Sequence, residues 1–114
     1  MEQLNRIELR GIVGNVRLQR FEENSVANLT MCTNYAYKDR EGLAVIEETW
    51  HNVVVWKGRD MPDPEKITKG SRVHVVGRIR NRAFTGADGT ERYICEVVAS
   101  HLQILEDETL SIAM

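Results

Sequence analysis

Gly77-Arg78-Ile79-Arg80-Asn81-Arg82-Ala83-Phe84 reads either as helix or as strand, and the choice decides the fold. In an extended chain successive side chains alternate between faces, so Arg78, Arg80, Arg82 and Phe84 project one way and Ile79, Asn81 and Ala83 the other. A helix would scatter the arginines, because positions two apart lie about 200° apart at roughly 3.6 residues per turn. The strand reading gathers three guanidinium groups and one aromatic ring on a single face. Asp88-Gly89, just beyond, supplies the turn chemistry that closes a hairpin. Guanidinium groups pair with phosphates and aromatic rings stack on bases, so the same stretch gives a first pointer to chemistry.

Strand character continues on both sides. Downstream, Glu91 to Leu105 alternates Tyr93, Cys95, Val97 and Ala99 against Arg92, Ile94, Glu96 and Val98. Upstream, Gly70-Ser71 opens the arginine strand at Arg72, and Asp63-Pro64-Glu65-Lys66-Ile67 has an Asp cap and a proline at a first helical position, which predicts one short helical turn. Thr49 to Trp56 is dense in tryptophan and β-branched residues, a strong strand signal. Its alternation places Trp50, Asn52, Val54 and Trp56 together, opposite His51, Val53 and Val55, which can serve as core. Tyr35 to Glu48 is polar and reads as a long hairpin loop. Val26 to Thr33 predicts a second strand with Ala27, Leu29 and Met31 inward. Residues 5 to 17 give a first strand interrupted by Gly11 and Gly14, the mark of a bulge or sharp bend.

These five strands, with a bent first strand and a helical link between the third and fourth, fit an all-β OB-fold, a five-stranded, partly open Greek-key barrel. The length of 114 residues suits one domain. Residues 1–105 are expected to form it, with 106–114 a short, mobile acidic-apolar segment. No apolar run approaches the roughly 20 residues of a membrane span and no signal peptide opens the chain, so a cytoplasmic protein is expected. Net charge is −2, but Glu106, Asp107 and Glu108 lie in the last nine residues, which leaves 15 basic against 14 acidic groups over residues 1–105. A basic groove can therefore arise only from how the charges are distributed. Cys32 and Cys95 sit in apolar runs outside any metal spacing and are expected as small core residues. His51, His74 and His101 lack ligand spacing, and no metal or other cofactor is expected. The adjacent carboxylates Glu22-Glu23 and Glu47-Glu48 are paired only by sequence, since neighbours in extended chain face opposite sides, which is wrong for shared acid–base work.

Six stretches together resemble the bacterial single-stranded DNA-binding protein (SSB) family, in the family's order. They are Asn5 to Gly11, Val26 to Met31, Glu48 to Trp56, Lys69 to Val73, Gly77 to Arg82 and Asp88 to Tyr93. The resemblance implies non-catalytic, sequence-tolerant binding of single-stranded DNA in replication, recombination or repair. It also implies a homo-oligomer of OB-folds, a tetramer in preference to a dimer. It assigns base stacking to Trp50, Trp56, Phe84 and Tyr37, and cationic contacts to Arg80, Arg82 and Arg6, with Arg78 as a further candidate. His51 matches a histidine near the family's subunit interface. Phe21 and Tyr93 are expected to pack.

The sequence also departs from the family. Asn52 stands where arginine is frequent, and Leu105 leads directly to Glu106–Met114 in place of a long Gly/Gln/Pro-rich linker ending in an acidic tip. The resemblance therefore carries no expectation of recruiting replication or repair proteins. A primosomal-replication-protein-N-like role, or another OB-fold protein-interaction role with weak or lost DNA binding, is the competing expectation.

Overall fold

Five strands form where the sequence concentrates β-branched and alternating apolar residues, and their inward positions meet in one core. The computed structural model describes residues 2–58 and 61–105. In chain order these are β1 (Ile7–Arg20), β2 (Ser25–Lys38), β3 (Ala44–Trp56), a 3-10 turn (Pro64–Lys66), β4 (Arg72–Thr85) and β5 (Glu91–Leu105). They roll into a closed barrel in the order β1-β2-β3-β5-β4. Every pairing is antiparallel except β3 with β5, which run parallel and meet only as Val53 opposite Val97 and Val54 opposite Val98. That narrow seam is where a partly open barrel would part.

The core follows the alternation. Val13, Ala27, Leu29, Met31, Val53, Val55, Val73, Val75, Val97 and Leu102 are buried together, and Ile67, just past the 3-10 turn, joins them. At about 25 cal/mol per Å² of apolar surface removed from water, each of the valine, leucine, isoleucine and methionine side chains contributes on the order of 1.5–3 kcal/mol. The 3-10 turn forms as its sequence predicts, with the Asp63 carboxylate accepting from the Glu65 N–H at 3.0 Å and Pro64 buried at its start. The bend expected from the β1 glycines is a register shift between Val13 and Val16. No helix among the described residues is long and apolar enough to cross a membrane.

Three expectations need correction. The stretch from Tyr35 to Glu48 is not a long loop, because the β2–β3 ladder continues from Thr33 opposite Thr49 to Lys38 opposite Ala44. Its turn takes only residues 39–43. There the Asp39 carboxylate accepts from the N–H groups of Glu41 and Leu43, both at 2.9 Å, and Gly42 holds a φ of 82° that other residues rarely adopt. Cys95 and Tyr93 are exposed, because β4 and β5 run on past the barrel as a two-stranded arm with no core beneath it. Cys32 is only half-buried. Residues 106–114, expected as a mobile segment, lie outside the described residues.

Candidate nucleic-acid interface

The face of β3 opposite the core carries the candidate stacking residues. Val53 and Val55 point inward, so Trp50, Asn52, Val54 and Trp56 share the outward side, with Trp50 56% and Trp56 42% exposed. Each tryptophan is braced by a neighbouring element. The Trp50 ring lies against β1 at Gly14, where a Cβ would stand 2.6 Å from its Cζ3. The bulge and its glycine thus make room for the ring. Trp56 stacks on Phe21 from the β1–β2 turn, with centroids 6.2 Å apart and planes 22° from parallel. Phe21, expected only to pack, is 56% exposed and enlarges the aromatic surface. Its lone position in a polar turn is the signal that the sequence offers for this.

Across the β3–β5 seam stands the arginine strand. Arg80 pairs with Glu96 and Arg82 with Ile94 in the β4–β5 register, placing these side chains on one face with Phe84. The Glu96 Oε1 accepts from Arg80 Nε at 3.1 Å, Arg80 Nη2 at 2.6 Å and Arg82 Nε at 2.8 Å. The Arg82 guanidinium also lies 5.9 Å from the Phe84 ring centroid, within cation–π range. Burial alone would raise the Glu96 carboxyl, but the hydrogen bonds and charges of Arg80 and Arg82 outweigh it and hold the group below the ordinary carboxylate range.

Between these two banks lies a cavity of about 450 Å³ whose lining includes Asn28, Thr30, Asn52, Val54, Arg82 and Phe84. Its floor is apolar at Val54, its rim carries uncharged amides and a hydroxyl, one wall carries Arg82 and the Phe84 ring, and Arg17 adds a second cation from β1. A flat, partly polar group fits this lining, with its π face on Phe84 and its edge toward the amides.

Of the candidates only Arg82 and Phe84 line the cavity, and Trp50, Trp56 and Arg80 stand outside its lining. Arg6 and Arg78 line a separate hollow of about 340 Å³ with Gly77 and Val98. There Asn5 clasps β4, its amide donating to the Ile79 carbonyl at 2.7 Å and accepting from the Ile79 N–H at 2.9 Å. Tyr37 lies out on the β2–β3 arm, its ring 6.1 Å from that of Tyr35, and by strand alternation on the side opposite Trp50. His51 pairs with the Thr33 hydroxyl at 2.9 Å, and burial pushes its pKa down. Glu96 and its grip on two arginines are not readable from sequence, because a carboxylate between two valines and a cysteine shows its partners only once the strand register is known.

The profile of the single-strand binding protein family matches residues 4–105, nearly the whole described fold. The chain belongs to that family. Members similar to it include the single-stranded DNA-binding proteins of Neisseria meningitidis, 31% identical, and of Xanthomonas campestris pv. campestris, 33% identical, each over 104 residues. Both matches take in 90% of this chain and 60% of the relative, so the chain spans about three-fifths of their length. Among solved structures, the Plasmodium falciparum SSB in complex with ssDNA superposes with a TM-score of 0.74 at 25% identity, covering 93% of this chain and 98% of that one. A deletion mutant of the single-stranded DNA-binding protein from Thermus aquaticus shares the fold, with a TM-score of 0.71, 23% identity and coverage of 90% and 51%.

Proposed function

We propose that this protein binds single-stranded DNA without strong sequence preference, in replication, recombination or repair. The observation that carries the reading is the cavity between Asn52 and Val54 of β3 and Arg82 beside Phe84 of β4, with Trp50 and Trp56 exposed on the same face of β3 outside its lining. Stacking accepts any base because every base has a π face, and arginines meet the backbone, which every sequence shares. Residues 1–105 form the binding unit, and binding needs no bond made or broken, so the protein is not an enzyme. Trp50, Trp56 and Phe84 stack bases, Arg80 and Arg82 meet phosphates beside them, and Arg6 with Arg78 extends the path of the backbone along β4. Tyr37 joins the stacking set where a strand wraps the β2–β3 arm. The chain acts in the cytoplasm as a homo-oligomer, a tetramer in preference to a dimer, with His51 near the contact between copies. The likeness to the Plasmodium SSB, whose solved structure is a complex with single-stranded DNA, supports this reading.

The test is titration with oligo-dT at low salt, read by tryptophan fluorescence. Quenching that saturates, and that salt reverses, is the expected result, whereas unchanged fluorescence together with unchanged light scattering defeats the proposal. A second reading, an OB-fold protein-interaction module with weak DNA binding, draws on Asn52 and on the consumption of Arg80 and Arg82 charge by Glu96. It predicts a stable protein partner and no salt-sensitive oligonucleotide binding.

A further inference from the structure

Three hydrogen bonds converge on a single oxygen at the root of the β4–β5 arm. Glu96 is 2% exposed, whereas the side chains of Arg80 and Arg82 that it holds are 39% and 45% exposed. A buried carboxylate stripped of its partners is strongly destabilising, which keeps the arginines on Glu96 when a ligand arrives. Each guanidinium offers five N–H donors. Arg80 spends its Nε proton and one Nη2 proton on Glu96, and Arg82 spends its Nε proton. What remains for a ligand is the outer, Nη edge of each fork. The charges count the same way, since two guanidinium groups and one carboxylate amount to a single net positive charge.

We propose that Glu96 is a positioning residue of the strand-binding face, which turns the Nε edges of Arg80 and Arg82 inward and makes the two arginines together a seat for one backbone phosphate rather than two. The arrangement does not depend on a phosphate to order the arginines, because the carboxylate orders them beforehand. It also sets a ceiling on the electrostatic share of binding that the arginine row alone would overstate. This inference rests on the single-stranded DNA reading above, and it sharpens that reading to a phosphate count.

Oligo-dT binding across a salt series measures the count directly, since log K falls against log salt by about 0.7 for each phosphate neutralised on a single strand. Glu96→Gln is expected to steepen the slope by about 0.7, Arg80→Gln to flatten it by about 0.7, and the double variant Arg80→Gln/Glu96→Gln to return it to the wild-type value. A merely structural role for Glu96 would weaken binding at every salt concentration with the slope unchanged, and that result overturns the proposal. A second measurement needs no variant. In the wild-type protein the Nε–H resonances of Arg80 and Arg82 should hold their hydrogen-bonded positions on saturation with oligo-dT, and displacement of both from those positions overturns the proposal equally. Wild-type protein that fails to bind oligo-dT at any salt would remove the parent reading along with this one, whereas binding with an unchanged Glu96→Gln slope removes this one alone.

Discussion

The barrel extends two β-hairpin arms that are built alike and equipped differently. At the tip of β2–β3 the Gly42 N–H donates to the Asp39 carbonyl and the Asp39 N–H to the Leu43 carbonyl, both at 3.0 Å. At the tip of β4–β5 the Gly89 N–H donates to the Gly86 carbonyl at 3.0 Å and the Gly86 N–H to the Thr90 carbonyl at 2.8 Å. Gly42 and Gly89 hold φ of 82° and 84°. An aspartate locks each turn, Asp39 from its first position and Asp88 from its third, where it accepts from the Thr90 N–H at 3.1 Å and the Thr90 hydroxyl at 2.6 Å. The roots differ. The β4–β5 arm is anchored by a buried carboxylate between two arginines, while no ion pair among the described residues spans the β2–β3 arm, which carries Tyr35 and Tyr37 instead. The two arms therefore share a turn and differ in the burial and charge at their roots.

The largest effect should come from removing the anchor. Arg80→Ala with Arg82→Ala strands Glu96 and is expected to cost about 3–5 kcal/mol in urea unfolding. A basic pair near the tip of the other arm, Lys38→Ala with Arg40→Ala, changes exposed residues and should stay within about 0.5 kcal/mol per site. Equal losses from the two double variants would erase the distinction between the arms.

Binding should separate the arms by a smaller margin. Phe84→Ala removes a ring from the cavity wall and should weaken oligo-dT binding by about 1–3 kcal/mol, roughly fivefold to 150-fold. Tyr37→Ala should cost less in the same titration, because its ring lies outside the cavity on the other side of its ribbon. A loss from Tyr37→Ala as large as that from Phe84→Ala would mean that the strand wraps around the arm.

The turns test what the arms share. A Cβ added at Gly42 or Gly89 meets nothing within 4 Å, so alanine there carries only the cost of a positive φ. Each substitution should lower stability by about 1 kcal/mol, and by the same amount in both arms, as read from unfolding midpoints.

The smallest effect is in pH, and it gives the two roots separate windows. Burial holds the His51 pKa below its ordinary 6.5, so the stability tied to its neutral form is present above that pH and is lost as pH falls below it. Glu96, also held below its ordinary 4.5, keeps its contribution until the pH drops past that lower range. Unfolding midpoints followed downward from neutrality should lose the upper step in His51→Gln and the lower step in Glu96→Gln.

The arms also show where sequence reading works and where it stops. Arg78, Arg80 and Arg82 alternate without interruption before Asp88-Gly89, so the β4–β5 hairpin is legible, as are the inward valines of β3. The β2–β3 arm is not, because both of its faces meet solvent and nothing obliges Tyr35 to Glu48 to alternate in hydrophobicity. Backbone pairing carries most of that ribbon, and pairing leaves no mark on composition. Tyr93 and Cys95 mislead for the converse reason. Their parity with buried Val97 is real, but beyond the barrel the inward side of a strand faces water. Trp50, Trp56, Phe84 and Arg82 can be assembled from alternation and family likeness, whereas Glu96 and Phe21 need the register and the path of the chain.

The narrow contact between β3 and β5 has a consequence for the barrel as a whole. Cut there, the sheet unrolls into β3-β2-β1-β4-β5 with every antiparallel neighbour kept, so the seam is the one junction the barrel can release cheaply. Asn52 and Val54 stand on one edge of it, and Arg82, Phe84 and Glu96 on the other. Whatever fills the cavity is thus a suture across that edge. Occupancy should slow hydrogen exchange at the backbone amides of residues 53, 54, 97 and 98 even where no ligand atom touches them, because a ligand that bridges both edges of the seam favours the closed barrel.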